Sequence, residues 1–144
     1  MFIQYDGYAC GAVSFSNAVK ALGGDIDVES AKSLAGTTYK HGTSRQGIIR
    51  GLQSLGYKAT PYHSRNPDNA WKWIKRHAPS CPIIALVDSQ EHWLVLSGIL
   101  GDKVIVVDGS PKEWENGVDA MGKQNVLERL NHLGHYYAIR VSKS

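Results

Sequence analysis

The chain is poor in several things that would each have named a function. Cysteine occurs twice in 144 residues, at Cys10 and Cys81. One disulfide is therefore the most it could form, and a free thiol in a reducing compartment suits the composition better. No apolar run approaches the ~18 residues that a transmembrane helix needs. The start, Met1-Phe2-Ile3-Gln4, has neither the charged n-region nor the long apolar stretch of a secretory signal. The expectation is a cytoplasmic protein with no membrane partner. Charge of one sign is also scarce: sixteen Lys and Arg against thirteen Asp and Glu leave +3. The basic residues are scattered, which leaves no electrostatic footprint for nucleic acid. Repeats, low-complexity tracts and linker-like stretches are missing too. What remains is an ordinary composition, 42% hydrophobic and 20% charged, expected as a single domain over 1–144 that buries a core without staples.

The first half reads as helical. Gly11, Phe15, Ala18, Val19 and Leu22 form an apolar stripe at helical spacing, halted by Gly23-Gly24. Asp27, with Ser30 and Ala31, opens a second helix ending near Gly36. Thr43 or Ser44 is a good N-cap for a third, with Ile48, Leu52 and Leu55 on one face and Gly56 as its stop. From Tyr57 the pattern changes to a short strand over 57–63. A helix over about 67–78 follows, with Ala70, Trp73, Ile74 and Ala78 inward and Lys72, Lys75 and Arg76 outward. Three apolar runs come next, Pro82 to Val87, Trp93 to Leu100 and Val104 to Val107, continuous enough to be strands covered on both faces. A helix carrying Val126, Leu127, Leu130 and Leu133 and a strand from about His135 to Val141 close the chain. Helices first and sheet later predict an α+β fold, an N-terminal helical half packed on an antiparallel sheet.

The chemistry concentrates in four residues. Gln4 stands six positions ahead of Cys10, and Glu91-His92-Trp93 and Asp108 lie far along the chain. Thiolate, not thiol, attacks a carbonyl, and the oxyanion that develops needs hydrogen-bond donors. Cys10 at the start of the first helix is in the positive field of the helix N-terminus, which favours thiolate. Gln4 and the Cys10 backbone N–H are the candidate donors. His92 is the candidate base, later returning the proton to the leaving amine. Asp108 would hold its other ring nitrogen.

That assignment makes a geometric demand. A strict two-residue turn at Gly101-Asp102 pairs Asp108 with Val95, which puts His92 and Asp108 on opposite faces of the sheet. A three-residue loop, or a bulge, pairs Asp108 with Leu94 instead. His92 is then a diagonal neighbour roughly 7–8 Å away on the same face. An odd-length loop or a bulge is therefore expected.

At these residues the chain resembles the papain-like bacteriocin-processing peptidases, which cut leader peptides after a double-glycine motif. The resemblance runs from Gln4 to about Pro111 through Gln4-x5-Cys10-Gly11, Gly23-Gly24, Gly42-Thr43-Ser44, Leu55-Gly56-Tyr57, Pro82 to Leu86, His92 to Gly98, and Asp108. It implies a stand-alone papain-like peptidase domain with Cys10 as nucleophile, His92 as base, Asp108 as orienting acid and Gln4 in the oxyanion hole. The partner is a peptide or protein substrate, and no cofactor or metal is implied. Ala9 stands where the family often has an acidic residue, Gly109 where proline is usual and Trp93 where a smaller aromatic is common; none removes a catalytic group. Two other readings share the residues: a thiol acyltransferase or protein deamidase of effector type, and a non-catalytic peptide-docking module.

Blander readings apply to the rest. Cys81 beside Pro82 reads as structural. His132 and His135 resemble a metal pair but lack a third ligand. His41, His63 and His77 read as surface or boundary residues. The bases and aromatics of Trp71 to Arg76 follow from helical spacing, with Trp73 in the core. Asp88 and Glu91 flank His92 and either tune it or sit in a solvated loop. Asp6 and Tyr8 line the cleft by position, and residues 109–122 form part of its rim or a partner surface.

Overall fold

A computed structural model describes residues 9–88, 92–109 and 118–144. Three helices come first: α1 (Cys10–Ala21), α2 (Val28–Ala35) and α3 (Arg45–Ser54). β1 (Tyr57–Ser64) and α4 (Pro67–His77) lead into β2 (Ile83–Val87), β3 (His92–Leu100) and β4 (Lys103–Val107). β5 (Val118–Met121), α5 (Lys123–Leu130) and β6 (Tyr136–Lys143) complete the order. Three of the helices, α2, α3 and α4, begin where short polar side chains satisfy their first free N–H groups. The Asp27 carboxylate accepts from the Ser30 N–H at 2.7 Å, Ser44 Oγ from the Gly47 N–H at 3.0 Å, and Asn66 from the Asn69 N–H at 3.0 Å. Of the two N-caps open for α3, Ser44 is the one used.

The described strands form one sheet in the order β1-β6-β2-β3-β4-β5, every neighbouring pair antiparallel. Its two faces hold separate cores. On one, Phe15 of α1 and Ile48 and Leu52 of α3 pack with Ile84, Trp93, Val95 and Ile139. On the other, Trp71 and Ile74 of α4 and Val126 and Leu130 of α5 pack with Ala85, Leu94, Leu96 and Val106. β2 is buried at every position, because consecutive side chains alternate between two apolar layers. Each fully buried Phe, Leu or Ile contributes about 1.5–3 kcal/mol over an exposed one. The α+β architecture is thus the expected one, with the refinement that α4 and α5 cover the face opposite the first three helices.

Three details differ from the sequence reading. Trp71, not Trp73, enters the core; Trp73 lies at the flank, stacked on Tyr62 of β1 at 4.2 Å between ring centroids. Leu133 falls beyond the end of α5 in a left-handed turn and is 86% exposed. Part of the segment 109–122 is a strand, since β5 pairs with β4 along the sheet edge; residues 110–117 lie outside the described ones.

The β3–β4 hairpin carries the register that matters. Leu100 pairs with Lys103 and Ile99 with Val104, but further along Leu96 pairs with Val106 and Val95 with Val107. Ser97 and Gly98 together therefore stand against Ile105, which is a β-bulge. Gly98 has φ 97°, a conformation that a side chain resists, and its N–H donates to the Ala78 carbonyl at 2.9 Å. The turn itself is two residues long, so the bulge alone moves Asp108 into line with Leu94.

Candidate active site

Cys10 is the first residue of α1, following Ala9 as N-cap with no side-chain cap. The first amides of a helix have no intrahelical acceptor and carry its positive end. The sulfur, half-buried, is placed in that field. What holds α1 in position is a close approach: a Cβ on Gly11 would lie 2.5 Å from Thr43 Cβ and 3.1 Å from Trp93 Cδ1. Trp93 is in turn fixed by its Nε1–H, which donates to the Thr43 carbonyl at 3.2 Å. The large aromatic that departs from the family pattern is thus a wall against which the helix start rests. Gly11→Ala is expected to cost about 1–3 kcal/mol through overpacking, read from denaturant unfolding; an unchanged midpoint would mean that the contact is slack.

His92 opens β3 and is packed from the other side. Its Nε2 and Asp108 Oδ1 are 2.8 Å apart, and its side chain also hydrogen-bonds Cys10, which leaves Nδ1 for the sulfur. Asp108 is 0% exposed. Burial works against a charged imidazole here. The hydrogen bonds from Asp108 and Cys10, followed by the charges of both, outweigh it and hold His92 at about 10 rather than 6.5. The ring is therefore an imidazolium at neutral pH, with a buried carboxylate on one side and the Cys10 sulfur on the other. Such an arrangement suits a cysteine that attacks and an imidazole that delivers the proton afterwards.

The structure thus brings together Cys10, His92 and Asp108 from the start of α1, the start of β3 and the end of β4. Gln4, Asp6, Tyr8 and Glu91 lie outside the described residues. Asp88 lies in an exposed turn at the end of β2, and both its carboxylate oxygens bind Arg129 of α5, at 3.1 Å to Nε and 2.7 Å to Nη2. The Nη2 atom is also 3.9 Å from Asp108 Oδ2. Sequence reasoning passed over Arg129, and only its placement as a lone cation near the last turn of an otherwise apolar helix face hinted at a buried partner. Cys81 follows α4, its N–H donating to the His77 carbonyl at 2.9 Å. His63 and His135 meet ring to ring, Nε2 to Nδ1 at 2.7 Å. Among the described residues no three His, Cys, Asp or Glu side chains gather as metal ligands would, and no helix is long and apolar enough to cross a membrane.

Comparison with known proteins adds to this geometry. The sequence model of the Peptidase C39 family matches residues 1–127. No curated protein matches in sequence. Among solved structures, the chain is similar to the peptidase domain of Streptococcus ComA, a bi-functional ABC transporter involved in quorum sensing. The TM-score is 0.76 at 17% identity, covering 99% of this chain and 97% of that one. It is also similar to a double glycine motif protease from an AMS/PCAT transporter in complex with its leader peptide, with a TM-score of 0.77 at 16% identity over 100% of this chain and 91% of that one. The peptidase domain of Streptococcus mutans ComA aligns with a TM-score of 0.67 at 18% identity, covering 99% and 98% of the two chains.

Proposed function

The chain belongs to the Peptidase C39 family and is a papain-like cysteine peptidase, and on that premise we propose that it cuts leader peptides on the carboxyl side of a double glycine. The roles follow from the residues. Cys10, as thiolate beside the His92 imidazolium, attacks the scissile carbonyl and forms a carbon–sulfur bond. The oxyanion is held by the Cys10 backbone N–H and the Gln4 amide. His92 then gives its proton to the leaving amine as the peptide bond breaks, leaving a thioester. Water, deprotonated by His92, attacks the thioester, releasing the acid and restoring the thiolate. Asp108 keeps the ring oriented and balances its charge throughout.

The observation that carries this reading is the His92 imidazole held between a fully buried carboxylate and the Cys10 sulfur at a helix N-terminus. The occupant of the AMS/PCAT neighbour, a leader peptide, supports the choice of substrate. Both cysteines are free, which supports a reducing, cytoplasmic setting. The two cores are opposite walls of one sheet, which supports reading 1–144 as one domain.

Peptides carrying a double glycine, and matched peptides with both glycines replaced by valine, are incubated with the protein and followed by mass spectrometry. Cleavage after the second glycine of the first set alone is the expected result. Failure of the unmodified protein to cut either set, in a buffer where a separate sample shows Cys10 reactive toward iodoacetamide, would sink the peptidase reading. A small mass gain on glutamine-bearing proteins without chain cleavage would instead mark a deamidase.

A further inference from the structure

We propose that Arg129, gripped by Asp88, is a positioning residue for the Asp108–His92 pair: its guanidinium fixes the rotation of the buried Asp108 carboxylate and supplies its counter-charge. This rests on the peptidase reading of Cys10, His92 and Asp108 and extends it to two residues on other elements.

Four observations carry the inference. The first is the burial of Asp108 at 0% exposure, since a carboxylate removed from water needs both hydrogen bonds and a compensating cation. One of its oxygens faces His92 Nε2 at 2.8 Å, and the other faces Arg129 Nη2 at 3.9 Å. The second is the fork geometry: Arg129 presents Nε and Nη2 to the two oxygens of Asp88, at 3.1 and 2.7 Å. A guanidinium held in this bidentate way has little rotational freedom left. The third is the backbone. Asp88 has φ 54°, unusual for a residue other than glycine, and its N–H donates to the Arg129 carbonyl at 2.8 Å. Main chain and side chain together tie the end of β2 to the last turn of α5. Backbone held in a sparsely populated region is typical of sites where geometry serves function. The fourth is the apolar surround: Arg129 shares its pocket with Ala85 and Val87 of β2, Leu94 and Leu96 of β3, Val106 of β4 and Met121 of β5.

The titratable groups facing Arg129 among the described residues are accordingly few. Asp88 and Asp108 touch or approach it, and His92 and Cys10 follow through Asp108. Asp119, opposite Val106 on the edge strand, lies on the same face but is exposed, and one of its oxygens accepts from the Ala120 N–H. Removing Arg129 removes the positive charge beside Asp108 Oδ2 and the fork that holds the carboxylate in place. The expected sign is a loss of reactivity at the Asp108–His92 pair.

The experiment compares the parent protein with Arg129→Gln, Arg129→Lys and Asp88→Asn, each checked for folding by thermal unfolding. For Arg129→Gln, kcat on a cleaved peptide is expected to fall about tenfold with KM within about twofold, less than the roughly 10²-fold cost of moving a reacting group by about 1 Å. Iodoacetamide alkylation of Cys10 is expected to slow about tenfold at neutral pH. Arg129→Lys, which keeps the charge but not the fork, is expected to recover the alkylation and only part of kcat. Asp88→Asn leaves Arg129 in place with a loosened grip, and should lower kcat about threefold and non-additively with Arg129→Lys; it decides the matter should Arg129→Gln not fold. Parental kcat and parental alkylation in folded Arg129→Gln or Asp88→Asn would overturn the proposal. So would a fall in kcat that only matches a loss of folded protein. Alkylation needs no substrate, so a parent protein that cuts nothing defeats the peptidase reading while this arm still decides the role of Arg129.

Discussion

Cys10→Ala is expected to lower kcat/KM on a cleaved peptide by about 10⁴-fold or more, while Cys81→Ala keeps parental activity. Without the sulfur no thioester forms, and what remains comes from substrate binding and the oxyanion donors alone. The loss should be one of chemistry and not of folding. Cys10 is half-buried at a helix start, so removing its thiol should change stability by no more than about 1 kcal/mol. Steady-state kinetics beside a denaturant titration separates the two. Cleavage by folded Cys10→Ala within a few fold of the parent would remove Cys10 from the reaction and, with it, the whole arrangement around His92.

Asp108→Asn should have the next largest effect, about 10²- to 10⁴-fold in kcat/KM, by loss of tautomer control and of the charge that balances the imidazolium. An amide there must turn an N–H toward either the imidazole or the Arg129 guanidinium, and both are donors. The substitution also makes a signed prediction about pH. In the parent protein His92 keeps its proton to about 10, because hydrogen bonds and charge from Asp108 and Cys10 outweigh burial. Activity that needs an imidazolium to protonate the leaving amine is then present below that value and lost as the pH rises through it. With the carboxylate gone, burial weighs more heavily, and the alkaline limb of kcat/KM moves down toward the ordinary 6.5. An alkaline limb unmoved from the parent's would show that Asp108 does not set the charge on His92. The same linkage acts on the fold: the stabilisation from the protonated ring is fully present below the unfolded value of about 6.5. It is lost as pH rises through about 10.

The readability of the sequence varied with the range of the interaction. The helix start at Asp27, the helix over about 67–78, and the choice narrowed to Thr43 or Ser44 follow from contacts within a few residues, which a local pattern records. The strands β2, β3 and β4 announced themselves as continuous apolar runs; β2 and the first half of β3 are covered on both faces, whereas β4 is buried only at Val104 and Val106. An odd-length loop or a bulge was expected, since a regular two-residue hairpin at Gly101-Asp102 puts His92 and Asp108 on opposite faces, and the structure has the bulge. Its position at Ser97-Gly98 was not, because the glycine that carries it also answers to the Ala78 carbonyl from α4. Trp71 and Trp73 are two residues apart on one helix, and periodicity alone chose the wrong one. Tyr62, on a strand nine residues before Trp71, offered Trp73 a stacking partner outside the core.

By itself the amino-acid order determined the class of fold and the candidate reacting groups, because hydrophobic period, caps and a thiol with its distant imidazole and carboxylate are written in residue types. Only the tertiary structure decided how those groups are held. Gly11 must touch Thr43 and Trp93 for the sulfur to sit where it does. Asp88 and Arg129, 41 residues apart, meet only because α5 folds back over the end of β2. Contacts of that kind join elements whose relative placement depends on the whole packed sheet, and no local pattern of residues specifies it.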